Sequence, residues 1–136
     1  MISHLNHVHI IVAALVYFII GALWYSMLFG KKWMKLIGHS GEVTEADKKG
    51  MPVMFLSTFI LNYVICFATA CVIFYIQPMS VMADLKIASL IGVGFIGTTT
   101  AMSNMYAKRS FQLTVIDSGY HFVGILSATI LLQMWH

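Results

Sequence analysis

Long runs of apolar residues, separated by short polar segments, fill most of this chain. The runs cover approximately residues 8–29, 53–77, 87–106 and 111–135. An α-helix needs about 20 apolar residues to cross a hydrocarbon core of roughly 30 Å. The apolar residues follow one another without the period-two alternation of a membrane β-strand. The pattern therefore predicts four transmembrane helices.

Length and composition favour a single all-α membrane domain. The chain has 136 residues, of which 60% are hydrophobic and 10% are charged, whereas soluble domains carry about 25% charged residues. Four spans leave roughly forty residues for loops and tails, too few for a soluble domain. We therefore predict a polytopic four-transmembrane-helix bundle over residues 1–136, with the lipid bilayer as its surroundings.

Basic residues predict the orientation of the bundle. Five lysines lie between the first and second spans, and Lys108 and Arg109 lie between the third and fourth. Only Lys86 falls on the other side. Because cytoplasmic loops are enriched in Lys and Arg, both termini are predicted to lie outside. The net charge of +3 comes from these helix ends, so no nucleic-acid partner is expected.

The cytoplasmic segment 30–52 is expected to be partly ordered. The apolar residues around Trp33, set among lysines, are typical of a short helix in the headgroup layer next to anionic lipid. Thr44 followed by Asp47 predicts a helix start. Pro52 would suit the first turn of the second span.

Each span carries one stripe of small and polar side chains, the kind of residue that joins helices in lipid. The stripes comprise Ala14, Tyr17, Gly21, Trp24 and Tyr25; Thr58, Asn62, Cys66 and Thr69; Gly94, Gly97, Thr98, Ala101 and Asn104; and Asp117, His121, Gly124 and Ala128. We predict that all four stripes face the interior of one bundle.

Asp117 and His121 form the leading candidate site. By the predicted boundaries, Asp117 is the only acid inside a span, where a charge costs roughly 2.5–3.5 kcal/mol on insertion scales. His121 follows four residues later, so the two side chains share a helix face and are able to hydrogen-bond. Such a pair would bind a cation or relay a proton. A purely structural staple that fixes the helix register is the alternative.

Four other side chains are candidates to join Asp117 and His121 inside the bundle: Asn104, Asn62, Tyr25 and Trp24. All four are candidates for contacting a substrate or ion. The alternatives are also clear, because asparagines often join helices by hydrogen bonds. Aromatic residues often form a belt at the membrane interface.

Three histidines near the amino terminus, His4, His7 and His9, are weak candidates for metal ligands. Imidazole binds zinc, copper and nickel, but no carboxylate lies nearby in the sequence to complete a site. The sequence specifies no cofactor. It also lacks a nucleophile motif, a phosphate loop and a CxxC or HExxH pattern. An enzyme is therefore disfavoured, although chemistry on a lipid or quinone stays open.

Two separated motifs resemble those of one family. The first comprises GALWYS at residues 21–26, LFGK at 28–31 and Trp33-Met34, and the second comprises Ser103-Asn104 and DSGYH at 117–121. Together they resemble an uncharacterised bacterial family catalogued as a domain of unknown function, number seventeen sixty-one. Met27 stands where the family pattern leads us to expect a proline. The resemblance implies a small multi-pass protein of the bacterial cytoplasmic (inner) membrane and no established activity.

Two functions fit these observations. The favoured one is transport or channel-like activity, in which Asp117 and His121 take protons or bind a cation. Because four helices leave a thin core, this function calls for a homo-oligomer, most simply a dimer. The alternative is a binding or accessory module for a lipid, a cofactor or a larger membrane complex, in which the polar residues are purely structural.

Overall fold

A computed structural model describes residues 5–135 of the chain, and its regular elements are all helices. They are α1 His7–Leu28, α2 Gly30–Leu36, α3 Glu45–Ile76, α4 Val81–Tyr106 and α5 Phe111–Met134. Four of them, α2 being the exception, are long and apolar enough to cross a membrane. The predicted all-α fold with four candidate membrane-spanning helices is therefore confirmed.

Each of the four long helices starts with a side-chain cap. The side-chain oxygen of the capping residue accepts a hydrogen bond from a backbone N–H of the first turn. The capping residues are Asn6, Thr44, Ser80 and Ser110. The predicted start at Thr44 is confirmed, with the Asp47 carboxylate accepting in return from the Thr44 backbone N–H at 2.9 Å. Hydrogen bonds from the Thr44 hydroxyl and backbone lower the pKa of Asp47, which precedes the apolar part of α3. These reciprocal bonds stabilise the first turn.

The early start of α3 changes the place of Pro52. The sequence predicted Pro52 in the first turn of the second span, but it lies inside the helix that begins at Glu45. This prediction was wrong because the Thr44 cap starts the helix two turns earlier, in the polar segment. The helix α3 therefore extends beyond its apolar part and includes the lysines at 48 and 49.

The helices are arranged around α5. The first helix, α1, packs against α3 and α5, whereas α4 packs mainly against α5. The His9 ring stacks on the Trp135 ring, with centroids 4.6 Å apart. Residues near the two termini therefore meet at one end, which we call the terminal end. The opposite end, with α2 and the turn at 107–110, is called the basic end. Which membrane side each end faces stays a prediction.

The predicted inward face of the third span was partly wrong. Gly94 and Thr98 are exposed, whereas the buried residues of α4 are Asp84, Ala88, Gly92 and Asn104. The reason is a π-helical segment at Ile91–Gly97. A π-turn inserts an extra residue, so it rotates the face that follows it. In the other three long helices the predicted stripes are buried or half-buried.

Candidate functional site

Two glycines allow close packing of α1 against α5. A Cβ atom added at Gly124 would lie 2.4 Å from Cε1 of Tyr17, and Tyr17 itself is completely buried. The absence of a side chain at Gly124 therefore lets the Tyr17 ring lie against the α5 backbone. Gly21 of α1 leaves room in the same way for the ring of Tyr120, because a Cβ atom added at Gly21 would lie 2.9 Å from Cε2 of Tyr120.

Asp117 is half-buried and is held by a residue of α1. The Tyr25 hydroxyl donates a hydrogen bond of 2.7 Å to the Asp117 carboxylate. The preceding residue, Trp24, donates its indole N–H to the Ile116 carbonyl at 3.0 Å. Both donors lie in a π-helical segment at Trp24–Leu28. Its wider turn lets two consecutive side chains bond to two consecutive residues of α5.

His121 has a different partner on α1. Its Nδ1 atom lies 2.8 Å from the Tyr17 hydroxyl, which also lies 3.2 Å from the His121 carbonyl oxygen. The predicted pairing of Asp117 with His121 is therefore replaced by two separate bonds to α1. Tyr17 and Tyr25 are eight residues apart and so lie on the same helix face, where they bond to two successive turns of α5.

A third tyrosine connects these two bonds. The Tyr120 ring meets the rings of Tyr17 and Tyr25 edge-on, with centroids 5.3 and 5.4 Å apart. Its hydroxyl donates to the Asn62 side-chain oxygen of α3 at 3.3 Å. We call this group the polar cluster; its members are Tyr17, Tyr25, Asn62, Asp117, Tyr120 and His121. The cluster joins α1, α3 and α5, and it contains no lysine or arginine.

Sequence reasoning missed two members of the cluster as site residues. Tyr17 was placed on the inward stripe without a chemical role, and Tyr120 was not singled out. A usable signal was present, because Tyr17 and Tyr25 repeat at helical spacing on the helix predicted to face Asp117. Phenol hydroxyls buried in proteins usually need a partner.

Asn104 lies outside the polar cluster. Its side-chain amide donates to the Thr114 hydroxyl at 3.0 Å, and both residues are buried. This bond joins α4 to α5 near the turn at the basic end. Asn104 therefore forms an interhelical contact in the structure. This is one of the two roles that the sequence allowed for it, the other being ligand binding.

Two buried polar atoms near the cluster have no hydrogen-bond partner among residues 5–135: Nδ2 of Asn62 and the hydroxyl oxygen of Ser118. Buried polar groups are nearly always bonded. Ser118 directly follows Asp117, and Asn62 bonds to Tyr120 through its other side-chain atom. The described residues therefore leave these two buried polar atoms without a hydrogen-bond partner.

The helix α2 contacts the cluster from the basic end. The Trp33 ring meets the Tyr25 ring edge-on, with centroids 5.4 Å apart. Gly30 makes this turn possible, because a Cβ there would lie 2.7 Å from the Tyr25 carbonyl oxygen. The predicted short helix around Trp33 is thus present, and it packs directly on a member of the site.

The histidines at the amino end have separate partners. Nδ1 of His7 lies 2.8 Å from the Tyr63 hydroxyl, whereas His9 stacks on Trp135. His4 lies outside the described residues. Within residues 5–135, no three His, Cys, Asp or Glu side chains are grouped closely enough to hold a metal ion.

The fold and the site define a class of protein: an all-helical chain, compatible with a multi-pass membrane protein, whose apolar helices hold the half-buried carboxyl group of Asp117 among tyrosine side chains. The chain belongs to the family described as Protein of unknown function (DUF1761), whose sequence profile matches residues 8–133. The resemblance identified in the sequence is therefore confirmed. No curated protein matches the chain. No solved structure matches it either.

Proposed function

We propose that this protein is a small transport or channel-like membrane protein that moves protons or small cations through the polar cluster. One observation carries the proposal: Asp117, half-buried between apolar helices, is bonded to Tyr25 of α1. Ionisable residues within membrane-spanning segments are rare and often mark ion or proton pathways. The rarity of such residues therefore favours a functional role for the Asp117 carboxyl group.

The chemistry of the cluster fits the transfer of a proton or a small cation. The Asp117 carboxylate accepts a proton or contacts a cation, and the Tyr25 hydroxyl steadies it. His121 lies one helical turn further along α5, about 6 Å by the rise of a helix. Its imidazole, paired with the Tyr17 hydroxyl, is able to take up and release protons. The two groups are thus arranged in sequence along the helix axis.

A second copy of the chain is part of this proposal. One four-helix chain with a fully buried Tyr17 at its centre leaves little room for a hydrated path. The π-helical segment of α4 turns Gly94 and Thr98 outward, one turn apart. Small residues on an outward face let two helices approach closely in lipid. We infer that two copies pack through this face of α4.

Purified protein in liposomes tests the proposal. We expect proteoliposomes with an internal pH-sensitive dye to dissipate an imposed proton gradient faster than protein-free liposomes. Sodium and potassium gradients, each followed with a dye that is selective for that ion, test whether the protein transports these two cations. If verified dimers pass none of the three ions faster than bare lipid, the transport proposal is wrong.

A binding or accessory module remains the second candidate. The observation that favours it is that Tyr17 with His121, and Trp24 with the Ile116 carbonyl, form hydrogen bonds between α1 and α5 that involve no carboxylate. Such bonds are what a structural staple requires. A lipid, cofactor or membrane complex that copurifies in stoichiometric amount, together with an absence of ion flux, would support this candidate over transport.

The variant Gly94→Leu is expected to abolish dimerisation while the chain still folds. A Cβ at Gly94 would contact only the Leu90 side chain, at 3.7 Å, so the larger residue clashes with a second copy and not with its own fold. Crosslinking in liposomes measures the dimer. Gly50→Leu is the matched control, since nothing lies within 4 Å of its Cβ, and it should leave the dimer intact. Equal dimer fractions in the two variants would contradict the proposed interface.

A further inference from the structure

A second buried acid lies near the terminal end, far from the polar cluster. Asp84, in the first turn of α4, is completely buried. The Gln133 side-chain amide donates a hydrogen bond to its Oδ2 atom. Its Oδ1 atom has no hydrogen-bond partner among the described residues. The apolar run of the third span starts only at about residue 87, so the sequence pattern leaves Asp84 outside it.

No positive charge faces this carboxyl group in the described part of the chain. The helix packed against the start of α4 is α5, and its stretch 124–134 contains no titratable side chain. On α4 itself, Lys86 follows Asp84 by two residues, so its side chain lies on a different face of the helix from Asp84. Lys86 is also exposed. A buried carboxylate with one neutral partner and one unpaired oxygen carries a large desolvation cost. A bound positive charge would remove that cost.

The partner of Asp84 also borders a cavity. Gln133, Gln77 and Pro78 line a space of about 280 Å³ where α3 ends and α4 begins. The cavity is large enough to hold water molecules. A small solute that enters it therefore comes next to the amide that holds the buried carboxyl group.

We propose that Asp84 and Gln133 form a site for a small monovalent cation, either a proton or an alkali metal ion. Asp84 Oδ1 contacts the cation directly, and the Gln133 amide, when turned over, offers its carbonyl oxygen. The site is separate from the polar cluster, because Gln133 lies sixteen residues from Asp117 on α5, about 24 Å along a helix. It binds its cation whether or not the protein transports ions, so the two proposals fail independently.

Labelling with an apolar carbodiimide tests the site in the full-length protein in liposomes. The reagent forms an adduct with carboxyl groups that carry a proton in apolar surroundings, and mass spectrometry of the peptide containing residue 84 measures it. In alkali-free choline buffer we expect an adduct on Asp84 that decreases as the pH rises. Sodium or potassium at ten times its dissociation constant should reduce the adduct about tenfold if the site takes that ion.

Three outcomes decide the matter. An adduct that depends on pH but not on alkali ions assigns a proton site, and protection by sodium or potassium assigns an alkali site. The absence of any adduct on Asp84 at every pH in choline buffer would overturn the proposal. Asp117→Asn is the matched control, since the label on Asp84 should be unchanged when the carboxyl group of the polar cluster is removed.

A structural staple would behave differently in one variant. Asp84→Asn keeps the size of the side chain and is able to hydrogen-bond to Gln133, but it carries no charge. We expect its thermal unfolding to be insensitive to alkali ions, whereas a cation that protects Asp84 should also raise the unfolding temperature of the wild-type protein. If this variant does not fold, the infrared C=O band of protonated carboxyl groups in Asp117→Asn supplies a second test. In choline buffer, a band that is lost on addition of sodium or potassium supports an alkali site, and the absence of any such band contradicts a site that holds a proton.

Discussion

Replacing Gly124 with alanine is expected to destabilise the protein by about 1–3 kcal/mol, the usual range for overpacking a tight core. The new methyl group would lie 2.4 Å from the Tyr17 ring, which is fully buried. Either α1 moves away from α5 or the tyrosine leaves its place, and both changes break the bond between Tyr17 and His121. In an ordinary helix, glycine to alanine stabilises by about 1 kcal/mol, so the expected sign is reversed here.

The variant Gly50→Ala provides the matched control. It makes the same chemical change within another long helix, but nothing lies within 4 Å of its Cβ. Reversible unfolding of both variants in mixed detergent micelles measures the free energies of unfolding. Equal effects at the two positions would contradict the close packing of α1 on α5.

Asp117→Asn should reduce the proposed ion flux by a factor on the order of ten or more, which corresponds to at least about 1.4 kcal/mol. The asparagine keeps the size of the side chain, and its carbonyl oxygen still accepts the hydrogen bond from Tyr25. It loses the ability to carry a negative charge or a proton. The free energy of unfolding should therefore change much less than the flux does.

An acid outside the cluster supplies the control for this prediction. Asp47→Asn removes one carboxyl group of the same kind at an exposed position in the first turn of α3. Its flux should equal that of the wild-type protein. Dye-loaded proteoliposomes with equal amounts of each variant make the comparison. Full flux in Asp117→Asn would mean that the ions do not depend on the carboxyl group of the polar cluster, and the proposed pathway would be wrong.

The sequence predicted the number of long helices because continuous apolar runs report membrane-spanning segments directly. It also predicted the start of α3, since Thr44 and Asp47 are a local signal that needs no knowledge of neighbouring helices. The inward positions of Tyr17, Asn62 and His121 followed from helical periodicity, which holds wherever a helix stays regular.

Other features depend on events that periodicity does not record. The π-helical segment of α4 rotates Gly94 and Thr98 outward, and no residue type announces such a segment. The partners of Asp117 and His121 depend on how α1 lies across α5, which is a long-range property. Asp84 precedes the apolar run that starts near residue 87, yet its helix begins at Val81 and packs this side chain against Gln133.

Tyr25 of α1 and Asp117 of α5 are joined by a hydrogen bond inside the helical bundle. A double-mutant cycle with Tyr25→Phe and Asp117→Ala tests this bond, using free energies of unfolding measured in detergent micelles. Interhelical hydrogen bonds in membrane proteins couple by about 0.6 kcal/mol on average and up to about 1.7 kcal/mol. We expect a coupling free energy in this range. Strictly additive effects of the two substitutions would mean that the two side chains do not interact.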